Sequence, residues 1–75
     1  KILKIDQIKE IIFLDISLSL YNSLTIQHQD KNSDFITFQT SHSLHQRFNP
    51  YVAYIFKNSK LYRVESLKPI KKYPL

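Results

Sequence analysis

The chain has 75 residues, a net charge of +5 and no cysteine. At this length it forms at most one domain with a small core, and the missing cysteine excludes disulfides and thiolate metal sites. Hydrophobic residues make up 43% and charged residues 23%, which is a globular composition. No apolar run approaches the ~20 residues that a membrane-spanning helix requires. We expect one globular domain at 1–66 and a basic C-terminal tail at 67–75.

The charge is divided unevenly along the sequence. Residues 1–34 contain four lysines against five acidic residues, whereas residues 35–75 contain seven lysines or arginines against Glu65 alone. A basic half of this kind can attract phosphate or an anionic membrane surface. The alternative is an ordinary solvated face that keeps the protein in solution.

The first segment has the periodicity of an amphipathic helix over about residues 2–20. Its apolar residues recur every three or four positions, which places them on one packing face. That predicted face consists of Ile5, Ile8, Ile12, Ile16 and Leu20. Residues 15–20 also alternate strictly between apolar and polar types, so a strand is the alternative there. The helix has no capping box, which fits the lower part of a longer helix.

Period-two alternation with β-branched and aromatic residues then predicts four strands, at about 24–29, 35–40, 51–57 and 60–66. The third is the most apolar and is expected to be central. In the fourth, either Leu61 and Arg63 or Tyr62 and Val64 face inward. Because the chain lacks glycine, left-handed turn positions fall to residues such as Asn32 and Asn58. The pattern predicts an α+β domain, with the helix packed on a four-stranded antiparallel sheet.

The sequence offers no pattern that defines a catalytic, cofactor-binding or metal site. His42 and His45 are spaced as a pair of ligands, but zinc requires three or four. Serines and histidines are present without the glycine that a nucleophile elbow or a phosphate-cradling loop needs. We therefore expect no enzyme activity and no cofactor.

Aromatic and basic residues alternate near the third and fourth strands. A candidate basic and aromatic surface is formed by Lys57, Lys60, Tyr62 and Arg63. Such a surface on a sheet stacks nucleotides, so a small nucleic-acid-binding module is one interpretation. The other is that the aromatic residues belong to the core and the bases to its rim.

Two segments resemble the pilins and pseudopilins of type IV pili and type II secretion systems. Asp15 to Leu20 is similar to the D-[IL]-x-x-[AS]-L segment that ends the helix of minor pseudopilins. Val52 to Glu65 is similar to their recurring hairpin, with Asn58-Ser59 in place of the usual turn glycine. The resemblance covers about residues 5–66.

The resemblance implies a structural subunit that assembles with other pilin-like subunits through its N-terminal helix. It implies a membrane anchor upstream of Lys1 and a location on the periplasmic face of the inner membrane, with a role in protein transport or pilus assembly. Nucleic acid is the weaker expectation for a partner.

Overall fold

A computed structural model of the chain describes residues 3–20, 23–30 and 33–72, with the side chains of 27–30 and 33 outside that description. This part of the chain contains one helix and four strands, namely α1 (Ile5–Ser17), β1 (Thr25–Asp30), β2 (Ser33–Gln39), β3 (Tyr51–Lys57) and β4 (Lys60–Ser66). The strands form one antiparallel sheet in the order β1-β2-β3-β4. The predicted α+β class, one helix with a four-stranded antiparallel sheet, is therefore confirmed, and β3 lies inside the sheet.

The helix, Ile5–Ser17, is shorter than the predicted one, whose first residue, 2, lies outside the described residues. At its start the Lys4 backbone N–H donates to Gln7 Oε1 at 2.9 Å, which is the reciprocal half of a capping box. This cap contradicts the prediction that the helix has none; the prediction was wrong because Lys4 lacks the side-chain oxygen that usually marks a cap in a sequence.

Residues 18–20, predicted as helix, lie beyond its end: Leu18 is the C-cap, with φ of −105° and ψ of 14°, and residues 19 and 20 run beside the end of β2. Ser19 forms a bridge with Thr40, and the Leu20 N–H donates to Gln39 O at 2.7 Å. The Ser41 N–H donates in turn to Leu18 O at 3.0 Å. The strand alternative for residues 15–20 is therefore correct only at Ser19, which forms an isolated bridge, whereas residues 15–17 are helical. Serine side chains compete for helical backbone groups, and here the Ser19 hydroxyl donates to Ile16 O at 2.8 Å.

The inward face of α1 differs from the predicted packing face. Ile8, Ile12 and Leu20 are half-buried as expected, but Ile5 and Ile16 are 68% and 61% exposed. The fully buried helix residue is Asp15, which lies seven positions after Ile8 and so shares its side of the helix. The helix is therefore rotated to point a carboxylate, rather than Ile16, at the sheet.

The sheet has two sides of different character. The helix side carries Tyr54 and Arg63, which are register partners on β3 and β4. The tail side carries the buried core cluster, and the half-buried Val64 and Ile70 pack against it; the cluster consists of Phe35, Ala53 and Ile55. Neither predicted pair faces inward as a whole: Arg63 faces the helix and Val64 faces the tail, both half-buried, while Leu61 and Tyr62 are exposed.

Positive φ angles occur at four residues of the described chain, none of them glycine. Asn58 and Ser59, with φ of 52° and 61°, form the two-residue turn between β3 and β4. This is the left-handed pair that such hairpins favour, and Asn58 was predicted to take it. Asn32, the other predicted position, lies outside the described residues. Gln46 and Asn49 have φ of 58° and 45° in the loop before β3.

Candidate functional site

The described chain gathers its buried charges in one place, between the helix and the sheet. Asp15 is fully buried, and its carboxylate accepts four hydrogen bonds. Arg63 Nε donates to Oδ2 and Arg63 Nη2 to Oδ1, both at 2.9 Å. His42 Nδ1 lies 2.7 Å from Oδ1, and the Tyr54 hydroxyl donates to Oδ2. Four donors occupy all the lone pairs that a carboxylate offers.

Arg63 also joins this carboxylate to a second one. Its Nη1 donates to Glu65 Oε1 at 2.7 Å, and the Glu65 side chain is likewise buried. We name this group, Asp15, His42, Tyr54, Arg63 and Glu65, the ionic cluster. A planar guanidinium suits the position because its fork of N–H groups reaches two carboxylates at once.

The secondary structure explains why these five side chains meet. Tyr54 and Arg63 lie opposite each other on adjacent strands and point to the same side of the sheet. Thr40 Oγ1 donates to Asp15 O at 2.9 Å and accepts from the His42 N–H at 3.2 Å, so one threonine fixes both the end of the helix and the histidine.

The ionic cluster favours charged forms of its acids. Burial alone would raise the pKa of Asp15, but hydrogen bonds from Arg63, Tyr54 and His42 outweigh burial and lower it. Burial likewise opposes the charged form of Glu65, and the bonds from Arg63, the Leu44 N–H and Ser43 lower its pKa. Burial and the bond to Asp15 raise the pKa of Tyr54.

The ionic cluster is better suited to attaching the helix to the sheet than to acid–base chemistry. Asp15 has no lone pair left to accept a substrate proton. The ionised oxygen beside His42 requires the proton on Nδ1, so a neutral ring would carry its lone pair on Nε2. Within the described residues no group of three or more His, Cys, Asp or Glu side chains is placed to hold a metal ion.

The candidate basic and aromatic surface is divided by the sheet. Tyr62 and Lys60 are exposed at β4 and the turn, whereas Arg63 points to the other side and is committed to the two buried carboxylates. Lys57 is half-buried. The sequence analysis placed Arg63 in this surface because its alternation gave no sign of a buried partner.

The ionic cluster itself was not predicted. Asp15 was interpreted as part of a helix end, and His42 as half of a ligand pair too small for zinc. One signal was present: Asp15 stands seven residues after Ile8 on the apolar side of the helix, where a charge is costly without a partner. The position of that partner, 48 residues away, has no local sequence signature.

None of the helices in the described residues combines the length and the apolarity that crossing a membrane requires. No family model, curated protein or solved structure matches the chain.

Proposed function

We propose that the chain is a non-enzymatic structural or assembly subunit that resembles a minor pseudopilin or pilin. Its partners would be other pilin-like subunits, bound through α1. The observation that carries the proposal is the outer side of this helix, where Ile5, Phe13 and Ile16 remain 68%, 68% and 61% exposed. Large apolar side chains grouped on a surface helix mark a protein contact more often than an ordinary solvated face.

The spacing of these residues fits a helix as the partner. Positions 5, 9 and 13 follow one ridge of the helix at intervals of four, and Ile16 continues it three positions later. Lys9 is the polar member of this ridge. An apolar helix of a neighbouring subunit can pack along such a ridge with side chains interleaved.

The ionic cluster supports the proposal by holding α1 on the sheet. Residue 15 is bound to β3, β4 and the loop that follows β2. A helix attached in this way keeps its outer ridge in one orientation, which lowers the ordering cost of association. Under this proposal the chain lies at the periplasmic face of the inner membrane, with its anchor upstream of Lys1.

A photo-crosslinking amino acid at position 13 tests the proposal in the producing cells. We expect an adduct between position 13 and the apolar N-terminal helix of a pilin-like protein, identified by peptide mass spectrometry. The matched control places the same amino acid at Asn58, an exposed turn residue remote from the helix ridge, where no such adduct should form. No adduct at position 13, or one only with proteins that lack such a helix, overturns the proposal.

The coding sequence gives a simpler test. The proposal requires an apolar stretch of about 20 residues upstream of Lys1, continuous in helical phase with Ile5. An initiator methionine immediately before Lys1 would overturn it.

A further inference from the structure

We propose that the chain binds the surface of an anionic lipid membrane through the loop before β3, with Phe48 inserted among the lipids. The loop, residues 43–48, lies at the loop end of the sheet, which we define as the end where β2 finishes, β3 begins and β4 finishes. This contact is separate from the helix ridge and does not depend on the proposed function.

The loop is built to hold its shape. Ser43 Oγ donates to Glu65 Oε2 at 2.9 Å and accepts from the N–H groups of His45 and Arg47, at 3.1 and 2.9 Å. The Leu44 N–H donates to Glu65 Oε1, and Arg47 Nη1 donates to Glu65 O at 2.8 Å. The loop is thus tied to β4 at three points.

This fixed loop exposes apolar side chains instead of hiding them. Phe48 is 88% exposed, more than any other large apolar residue of the described chain, and Leu44 is also exposed. Leu67, just after β4, adds a third exposed apolar side chain at the loop end. Left-handed backbone at Gln46 and Asn49 accompanies this presentation, and strain of that kind is found where a loop is shaped for contact.

The charges around these residues have one sign. Arg47 and Lys68 are exposed at the loop end, and no described carboxylate forms an ion pair with either. The acids at this end are Asp15 and Glu65, whose side chains are buried in the ionic cluster. The loop end therefore presents apolar tips within a basic surface, the combination that holds peripheral proteins on anionic bilayers.

A bilayer suits this surface better than a folded partner does. All five residues from Leu44 to Phe48 are exposed, so the loop stands out from the domain. A protein partner would need a matching concave pocket, whereas fluid lipid accepts a single projecting aromatic ring and lets the bases remain at the headgroups.

Vesicle binding tests the proposal with the chain as it is. We expect co-sedimentation with vesicles in which a third of the phosphatidylcholine is replaced by phosphatidylglycerol, and much weaker binding to pure phosphatidylcholine. Phe48→Ser should weaken binding at least about tenfold, since it removes the ring that the lipids would bury. Lys68→Gln should weaken it about fivefold. Phe56→Ser, which removes an exposed ring on β3 near the opposite end of the sheet, is the matched control and should leave binding unchanged.

Fluorescence reports the insertion directly. The chain has no tryptophan, so the Phe48→Trp variant carries a single indole, and its emission should shift to the blue on adding the anionic vesicles. Phe56→Trp should show no shift. The proposal is overturned if the chain does not co-sediment with anionic vesicles or if Phe48→Ser binds as well as the parent. It is also overturned if the emission wavelength of the Phe48→Trp variant does not shift. Binding to a duplex oligonucleotide but not to vesicles would also overturn it, in favour of nucleic acid.

Discussion

The two sides of the sheet are stabilised by different physics. On the tail side the buried core cluster is wholly apolar, and Val64 and Ile70 pack against it. On the helix side Phe38, whose ring stacks on Tyr54, is also buried, but it shares the interior with the two carboxylates and the arginine of the ionic cluster. Four further apolar side chains on the helix side of the sheet stay exposed: Ile26, Ile36, Phe56 and Leu61. The tail side forms a covered apolar core. The helix side is joined to α1 by the ionic cluster, but the helix covers only part of it.

The contrast explains why a small domain would place ions in its interior. An apolar contact tolerates sliding, whereas Asp15 can satisfy its four donors in only one arrangement of helix, loop and sheet. A buried ion pair adds little net stability over an apolar one, but it penalises every other arrangement. The helix side thus fixes an orientation, and the tail side is stabilised mainly by apolar burial.

Removing the charge of Asp15 should break the helix side with the largest effect. Asp15→Asn leaves Arg63 buried beside a poorer partner, and we expect a loss of about 3–5 kcal/mol in the free energy of unfolding. Urea denaturation at pH 7 measures this. Glu10→Gln, an exposed helix acid, is the control and should stay within about 0.5 kcal/mol of the parent. A loss in Asp15→Asn no larger than in the control would mean that the ionic cluster does not hold the helix.

Acid should separate the two sides. The pKa values of Asp15 and Glu65 lie below their ordinary values of 3.8 and 4.5, so the unfolded chain takes up protons first as the pH falls. Their contribution to stability is present in full above the ordinary values and is lost as the pH falls through the lowered pKa values. The urea concentration at the midpoint of unfolding, measured from pH 6 downward, should therefore begin to fall at about pH 4.5.

Two variants sharpen this test. Glu65→Gln should flatten the acid limb of the curve, because one of the two linked carboxyls is gone. Ile55→Val on the tail side should lower the whole curve by about 0.5–1.5 kcal/mol without changing its shape. The comparison would be wrong if Glu65→Gln kept the full acid limb.

A further, moderate effect is expected at the cover of the tail side. Ile70 is half-buried against Phe35, Ala53 and Ile55, so Ile70→Ala should cost about 1–2 kcal/mol in the free energy of unfolding. Leu67→Ala, at an exposed position of the same segment, should have no measurable effect. Equal urea midpoints for the two variants would show that residues 67–72 do not cover the sheet.

Much of the sheet could be predicted from the sequence, because each strand carries its own alternation. The predicted strands end within two residues of those observed, and the apolar third strand is interior. The orientation of α1 could not be predicted in the same way. Hydrophobicity put Ile16 inside, but the pairing of Asp15 with Arg63 decides the rotation, and that pairing joins residues distant in sequence.

The candidate site was harder for the same reason. A lysine or arginine on an alternating strand has the same local pattern whether it meets solvent or a buried acid. Arg63 looked like the neighbouring lysines, and only the register of β3 and β4 sets it beside Tyr54 on the helix side. The turn position of Asn58 could be predicted, because asparagine readily adopts left-handed backbone. The cap at Lys4 could not, because lysine has no side-chain oxygen to mark it.

Because the chain has no glycine, its sequence is not the most stable one for this fold. Gln46, Asn49, Asn58 and Ser59 all adopt left-handed backbone, at a cost on the order of 1 kcal/mol each. For a domain of this size, whose total stability is roughly 4–11 kcal/mol, that sum is a large share. Glycine at such positions would remove the cost without touching the core or the ionic cluster. A few substitutions in the loops would therefore be enough to raise the stability of this fold.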